Sequence, residues 1–499
     1  MVIHIEGGKD VCRAREGESL LTILQRGGIS LDAPCGGRGR CGKCRIQILR
    51  GRIHPVSDTD GGETPPAGWV RACAAYPASD LWIAPPCAGL PGERADGSSW
   101  GAVAGKSIRR AGFALDIGTT TVSARLVDLD TGETVDALSV LNDQRIYGAD
   151  VMSRIHAARE GKTGELFRRI NSQVRDMLRQ FDRRWDLKSK EYLAVAGNTA
   201  MLHLFVNADP SSLGAAPFTP AFLEARELPG SSLSLPVETA GLLPSISAFV
   251  GADITAGIAV TGMTEERRTS LLIDIGTNGE MALFHNGRIL CCSAAAGPAL
   301  EGAGISCGTG GVTGAVNRVE KSGGSLVFST IGGGPPVGLC GSGLIDAAAL
   351  MLDEGVIDET GAFTAESEES FLITAGIAVT RGDVRQFQLA KSAIASGIQI
   401  LCRAAGIEAG GVERVYLAGG LGFYIEPGRA IRTGLLPSSF RNRCAVCGNT
   451  SLEGAVRRLT DPAFPARCAG IAAKSEAVEL AGDPAFMETF VENMLFPVR

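Results

Sequence analysis

A multidomain α+β chain is predicted, with a small mixed sheet in front of a duplicated α/β unit, and three observations predict it. Four of the fourteen cysteines, Cys35, Cys41, Cys44 and Cys73, gather early in the chain around a glycine-rich loop. Residues 87–112, CAGLPGERADGSSWGAVAGKSIRRAG, are rich in Gly, Ser and charge without periodicity, as a flexible linker is. Asp-Ile-Gly-Thr then stands twice at the end of an apolar strand pattern, in FALDIGTTT from Phe113 and LLIDIGTNGE from Leu271, and such an internal repeat points to a duplicated fold.

At 499 residues the chain is too long for one small core. Its 45% hydrophobic and 20% charged residues, with 66 glycines, fit an α/β protein with many tight turns. A net charge of -6 supplies no basic field for a phosphate backbone or an anionic membrane, so neither nucleic acid nor membrane is an expected partner. MVIHIEGGKDVCRAREGESL has no basic segment before an apolar run, and no long apolar stretch follows, so a cytoplasmic protein is expected. A long chain with scattered cysteines also argues against a disulfide scaffold.

Residues 1–86 read as VIHI, VCRAR, a helical SLLTILQRGG, a glycine-rich loop, IQILRG and LWIAPP, the order of a small β-grasp sheet. The cysteine spacing is C-x5-C-x2-C, then 28 residues, then the last Cys. Three thiolates on one loop plus a fourth from afar suit a [2Fe-2S] cluster, because Gly36, Gly37, Gly39 and Gly42 let the backbone wrap it closely. A zinc knuckle or buried thiols are the alternatives; zinc more often takes two pairs of ligands on short turns. The extra residue relative to C-x4-C-x2-C resembles vertebrate-type ferredoxins. Cys444 and Cys447, with Cys468 downstream, form a metal or redox pair or a structural one, the latter expected because no fourth ligand is evident. Cys291 and Cys292 read as core.

Two halves follow, 113–268 and 269–499, each read as β-β-β-α-β-α-β-α. The first continues with the strand DALSV, the helix GADVMSRIHAARE, the strand YLAVAGN, the helix TAMLHLFV, the strand SISAFV and the helix GADITAGIAVTG. The second continues with RILCCSAA, the helices LCGSGLIDAAALMLDEG and VRQFQLAKSAIASGIQILCRAAG, the strand RVYLAGG, and the helices PGRAIRTGLL and GNTSLEGAVRRL.

In order and spacing, DIGTTT, DIGTNGE and LAGGLG resemble the two phosphate motifs and the adenosine motif of the actin, heat-shock chaperone and sugar-kinase superfamily. The resemblance implies a duplicated actin-like, ribonuclease H-like ATPase. In it Asp116 and Asp274 hold Mg²⁺ through its waters, Gly118, Thr119 and Thr120 line one phosphate turn, Gly276, Thr277 and Asn278 line the other, and Gly419, Gly420 and Gly422 face the adenosine. VGADITAGI and GNTSLEGAV fall where that superfamily has its hinge helices. Asp253, at the head of the first, positions the attacking water or serves as a plain helix N-cap. GAVAGKS is one residue short of a P-loop and follows no buried strand, and GTGGVTG lacks the βαβ context of a dinucleotide site.

A ferredoxin domain tethered to an ATPase suggests hydrolysis driving an uphill electron transfer. GADVMSRI, GNTAMLHLF, PFTPAF, LLIDIGTNGE, AAGPALEGAGISCG, CGSGLIDA, QLAKSAIASGI and LAGGLGFYIEP resemble signatures of the reductive activators of corrinoid-dependent methyltransferase systems, over nearly the whole chain. The resemblance implies one-electron reduction of Co(II) to Co(I), ATP and Mg²⁺ as well as the cluster, a corrinoid protein as partner, a low-potential electron donor, and an oligomeric state in which a homodimer is one expectation. Ser306, or else Cys307, would face the cobalt-containing partner; a loop packed on the second phosphate turn is the alternative. An ATP-driven donor to another metalloenzyme and a small-molecule kinase are the competing functions, and the kinase leaves the cysteines unexplained.

Overall fold

A computed structural model describes residues 1–5, 11–15, 17–26, 44–54, 69–83, 107–148, 150–365, 369–420 and 424–498. Cys35, Cys41 and Gly422 lie outside the described residues, as does the linker apart from residues 107–112.

The front sheet has five strands in the order Val11–Arg13, Val2–Ile5, Leu81–Ile83, Arg45–Arg50, Trp69–Arg71. Val2–Ile5 and Leu81–Ile83 pair in parallel at its centre, Ile3 opposite Leu81. The helix Leu20–Arg26 buries Leu20, Leu21, Ile23 and Leu24 against Ile3, Ile46, Leu81 and Ile83, because one side of its two turns is wholly apolar.

Two six-stranded sheets carry the repeat. One runs Arg226–Pro229, Thr239–Leu242, Lys190–Gly197, Ala111–Ile117, Thr121–Asp128, Thr134–Leu141; the other runs Cys444–Gly448, Arg414–Ala418, Ser270–Ile275, Gly279–His285, Arg288–Ala294, Ser475–Ala477. In each, an antiparallel meander opens on the Asp-Ile-Gly-Thr strand, and a later strand joins that first strand in parallel on its other side.

The expected strand at SISAFV does not form; residues 243–250 are coil and bends, and Thr239–Leu242 takes its place beside Lys190–Gly197. The Cys444–Cys447 segment, read for its thiols, is a strand, with Cys444 packed against the second core. The 22-residue helix Thr163–Arg184 was not expected, since its buried stripe of Leu166, Ile170, Val174, Met177, Leu178 and Phe181 is interleaved with charge. The hairpin Ala315–Ser322/Ser325–Thr330 and the helices Phe464–Lys474 and Pro484–Glu492 were likewise not expected.

Late segments return to the first half. Leu452, Ala455 and Val456 of the helix Thr450–Thr460, with Phe464, Cys468 and Ile471, share a core with Phe113, Leu115 and the helix Ala252–Thr261. The two predicted hinge helices therefore pack on each other, and a Cβ on Gly454 would stand 2.5 Å from the Ala256 Cβ, so only glycine permits this approach.

Lys391, 1% exposed in the helix Arg381–Ala404, donates to the carbonyls of Asn493 at 2.6 Å and Leu495 at 2.7 Å, just beyond the helix Pro484–Glu492. Burial lowers its pKa to about 8. The folded chain thus binds this proton less tightly than the unfolded chain, and the cost of a buried ammonium is relieved as pH rises from about 8 to the ordinary lysine value. Urea unfolding over that range should show the wild type gaining on Lys391→Met by up to about 1.4 kcal/mol per pH unit; parallel curves would refute the assignment.

Candidate nucleotide site and cluster site

Asp116 and Asp274 occupy the same place in the two sheets, next to last on Ala111–Ile117 and Ser270–Ile275, each followed by a tight turn. The carbonyls of the first turn are held from behind. Asn142 Nδ2 donates to Gly118 O at 2.8 Å, and the fully buried Arg154 guanidinium donates to Thr119 O. In the second turn Gly276 N donates to Asn278 O at 3.0 Å. Glu280 lies directly across from Asp274 in the hairpin.

Two asparagines do double duty. Asn449 caps the helix Thr450–Thr460, accepting from Leu452 N at 2.8 Å, and its Nδ2 donates to Asp116 Oδ2 at 2.7 Å; Ser451 Oγ donates to Asp116 Oδ1 at 2.7 Å. Asn198 caps the helix Thr199–Phe205, accepting from Ala200 N at 3.0 Å, and donates to Glu280 Oε1 at 2.8 Å. Each cap thereby ties one half of the molecule to a carboxylate of the other.

Asp253 is the second residue of the helix Ala252–Thr261 and Gly251 is its N-cap, which corrects the N-cap alternative. Burial, with repulsion from Asp116, pushes its carboxyl up to about 7. Burial and the charges of Asp253, Asp116 and Glu301 hold Asp274 well above the usual range; burial followed by Asp253 and Asp274 does the same for Glu280. Asp116 is also raised, by burial against the opposing effect of Asn449 and Ser451. These acids are thus gathered in one cleft and repel one another, an arrangement suited to a cation. Among the described residues no three His, Cys, Asp or Glu converge closely enough to ligate a metal directly.

Gly419, with φ +93°, ends the strand Arg414–Ala418 against this cluster; a Cβ there would stand 2.5 Å from Asp274 Oδ1. Gly420 faces open space. Thr120 and Thr277, one from each turn, bring their hydroxyls to 3.3 Å of each other. Ser306 is exposed, and its N–H, at 2.7 Å, and its hydroxyl both donate to Asp383, the acid of the capping box that opens Arg381–Ala404. The Cys307 thiol donates to Ala378 O at 3.0 Å.

In the front domain, Arg45 pairs with Arg71 and Ala72 N donates to Cys44 O at 2.7 Å, which brings Cys44 and Cys73 to one end of the sheet. Cys44 is buried and Cys73 part-exposed. Two thiols at neighbouring positions there, with Cys35 and Cys41 shortly before Cys44 in the sequence, fit the donor set of a [2Fe-2S] cluster.

Glu280, Glu301, Asn198, Asn449, Ser451 and Arg154 were missed in the sequence reading. One signal was available: Gly-Asn-Thr occurs twice, at 197–199 and 448–450, each time capping a helix at the cleft.

The fold and the cleft define a two-halved actin-like ATPase architecture behind a ferredoxin-type domain. Residues 3–78 match the 2Fe-2S iron-sulfur cluster binding domain, 111–266 the RACo middle region, and 268–499 the C-terminal domain of RACo, the ASKHA domain. The chain is 35% identical over 417 residues to the corrinoid activation enzyme RamQ of Eubacterium limosum, covering 77% of this chain and 70% of that one. It is 31% identical over 375 residues to the [Co(II) methylated amine-specific corrinoid protein] reductase of Methanosarcina barkeri, covering 68% of each. A solved structure, a reductive activator for corrinoid, iron-sulfur protein, superposes with a TM-score of 0.73 at 28% identity, covering 99% of this chain and 98% of the other. The chain belongs to the family of corrinoid reductive activators. Among the described residues no helix is long and apolar enough to cross a membrane.

Proposed function

We propose that this chain uses ATP to drive one-electron reduction of the cobalt of a corrinoid protein from Co(II) to Co(I). The observation that carries this reading is the convergence of carboxylates and turn hydroxyls from both halves on one cleft, in a chain that also bears the four-cysteine set. The division that fits is a ferredoxin-type domain over 1–86, a linker over 87–112, and ATPase halves over 113–268 and 269–499.

Asp116 and Asp274 would hold Mg²⁺, which would neutralise phosphate charge, and the turns at Gly118, Thr119, Thr120 and Gly276, Thr277, Asn278 would take the phosphates. Asp253, with a carboxyl pushed up to about 7, is placed to orient the attacking water and receive its proton. Gly419 and Gly420 leave room for the adenosine, and Gly422 of the same LAGGLG motif joins them as an adenosine-binding residue. Cys35, Cys41, Cys44 and Cys73 hold the cluster, which supplies single-electron transfer when bound. Ser306, exposed and tethered to Asp383, faces the corrinoid partner. An external low-potential donor supplies the electron, and the chain works as a homodimer in the cytoplasm.

The test is anaerobic visible spectroscopy of a corrinoid protein held as Co(II), mixed with this chain, a low-potential reductant and Mg-ATP. The Co(I) band should appear only with ATP. Cluster reduction without any cobalt change would move the acceptor to another metalloenzyme.

A further inference from the structure

Glu301 ends the 3-10 turn Pro298–Glu301, between the two phosphate turns. Its Oε2 accepts the Thr120 hydroxyl at 2.5 Å and also the Thr277 hydroxyl, while a Cβ on Gly276 would stand 3.5 Å from its Oε1. A threonine hydroxyl has a single proton to give. With both directed at Glu301, neither serves a phosphoryl oxygen, and the carboxylate's own charge opposes a phosphate in the same place.

Beyond Glu301 the chain makes a closed loop. A Cβ on Gly302 would stand 2.0 Å from Thr309 O, and one on Gly308 2.1 Å from Gly302 O, so the two ends of the loop touch directly. Thr309 N donates to Leu339 O at 2.9 Å. Gly304 and Ser306 are exposed while Ile305 between them is buried in the second core, and Ser306 is tied to Asp383 at the head of the long helix. Leu339 N also donates to Cys307 O at 2.8 Å, so Leu339 holds the far side of the neck, and Glu301 is the residue immediately before its near side.

We propose that Glu301 couples the terminal phosphate of ATP to the loop at 302–309: the phosphate claims the Thr120 and Thr277 hydroxyls, Glu301 withdraws, and the neck of the loop turns with it. This rests on the ATPase reading of the cleft and adds the residue through which nucleotide would reach the surface loop. Glu301 acts here as a positioning residue, and coupling between the sites requires it to take a second setting once the phosphate is bound. The coupling is reciprocal, so whatever holds the loop in its turned position must also tighten nucleotide.

The experiment uses the full chain, a non-hydrolysable ATP analogue with Mg²⁺, titration calorimetry, and hydrogen exchange of the 302–309 segment. Wild type should bind the analogue and change its exchange at 302–309 on binding. Glu301→Gln keeps the shape without the charge and should bind about tenfold more tightly, which corresponds to about 1.4 kcal/mol, while its loop no longer responds to nucleotide. Glu301→Asp keeps the charge one methylene further back and should fall between. Wild type that binds no analogue would sink the ATPase reading itself. Binding in wild type with equal or weaker affinity in Glu301→Gln, or a loop response that survives the substitution, would overturn the coupling alone. Should Glu301→Gln unfold early in a thermal melt, Glu301→Asp decides by the same two readouts.

Discussion

Asp274→Asn is expected to leave a folded chain that hydrolyses ATP at least about a hundredfold more slowly, the scale on which removing one preorganised electrostatic group acts. The carboxylate stands next to last on its strand, faces Glu280 across the hairpin, and is held well above its usual pKa by burial and by Asp253, Asp116 and Glu301. Such a group opposes folding near neutral pH, because the folded chain confines a charge that the unfolded chain leaves in water. The amide removes that repulsion. Unfolding temperature should therefore stay level or rise while phosphate release collapses, the pattern of a site that gives up stability for function. Wild-type hydrolysis in this variant would remove Asp274 from the site.

Cys44→Ser is expected to eliminate the visible absorption of the cluster, the protein-bound iron and all ATP-dependent cobalt reduction. Cys44 is buried beside Ile46 in the small front core, and its carbonyl accepts from Ala72, next to Cys73. A serine hydroxyl there is a poor replacement for a soft thiolate, and three ligands cannot complete the set. Among the described residues the front core shares none with the two cores of the ATPase halves, so retained ATP hydrolysis would report an otherwise folded chain. An unaltered spectrum would show that this cysteine is no cluster ligand.

The duplicated strands were legible because each Asp-Ile-Gly-Thr follows a run of apolar residues too regular to be a loop, and the carboxylate positions came with them. The hinge helices were legible because VGADITAGI and GNTSLEGAV fall where the resembled superfamily has them. Glu301 was not, since PALEG carries no periodicity and its role comes from contacts with Thr120 and Thr277, 181 and 24 positions away. Asn198 and Asn449 were missed although Gly-Asn-Thr before a helical pattern is a local cap signal; that each also reaches a carboxylate in the other half depends on tertiary packing alone. The helix Thr163–Arg184 was obscured by its arginines, and the strand Thr239–Leu242 by its brevity and its glycine.

Asn449 and Ser451 reach Asp116 across 333 and 335 positions of sequence. The first phosphate turn is therefore finished by residues that leave the ribosome long after it does. Contacts of such separation form late, once most of the chain's entropy has been spent. An emerging or interrupted chain can complete its first sheet and still lack the groups that fix Asp116, so ATP turnover is withheld until nearly the whole polypeptide has been made and folded. A split of the chain anywhere between the two partners would leave two fragments, neither able to hydrolyse ATP until they reassociate.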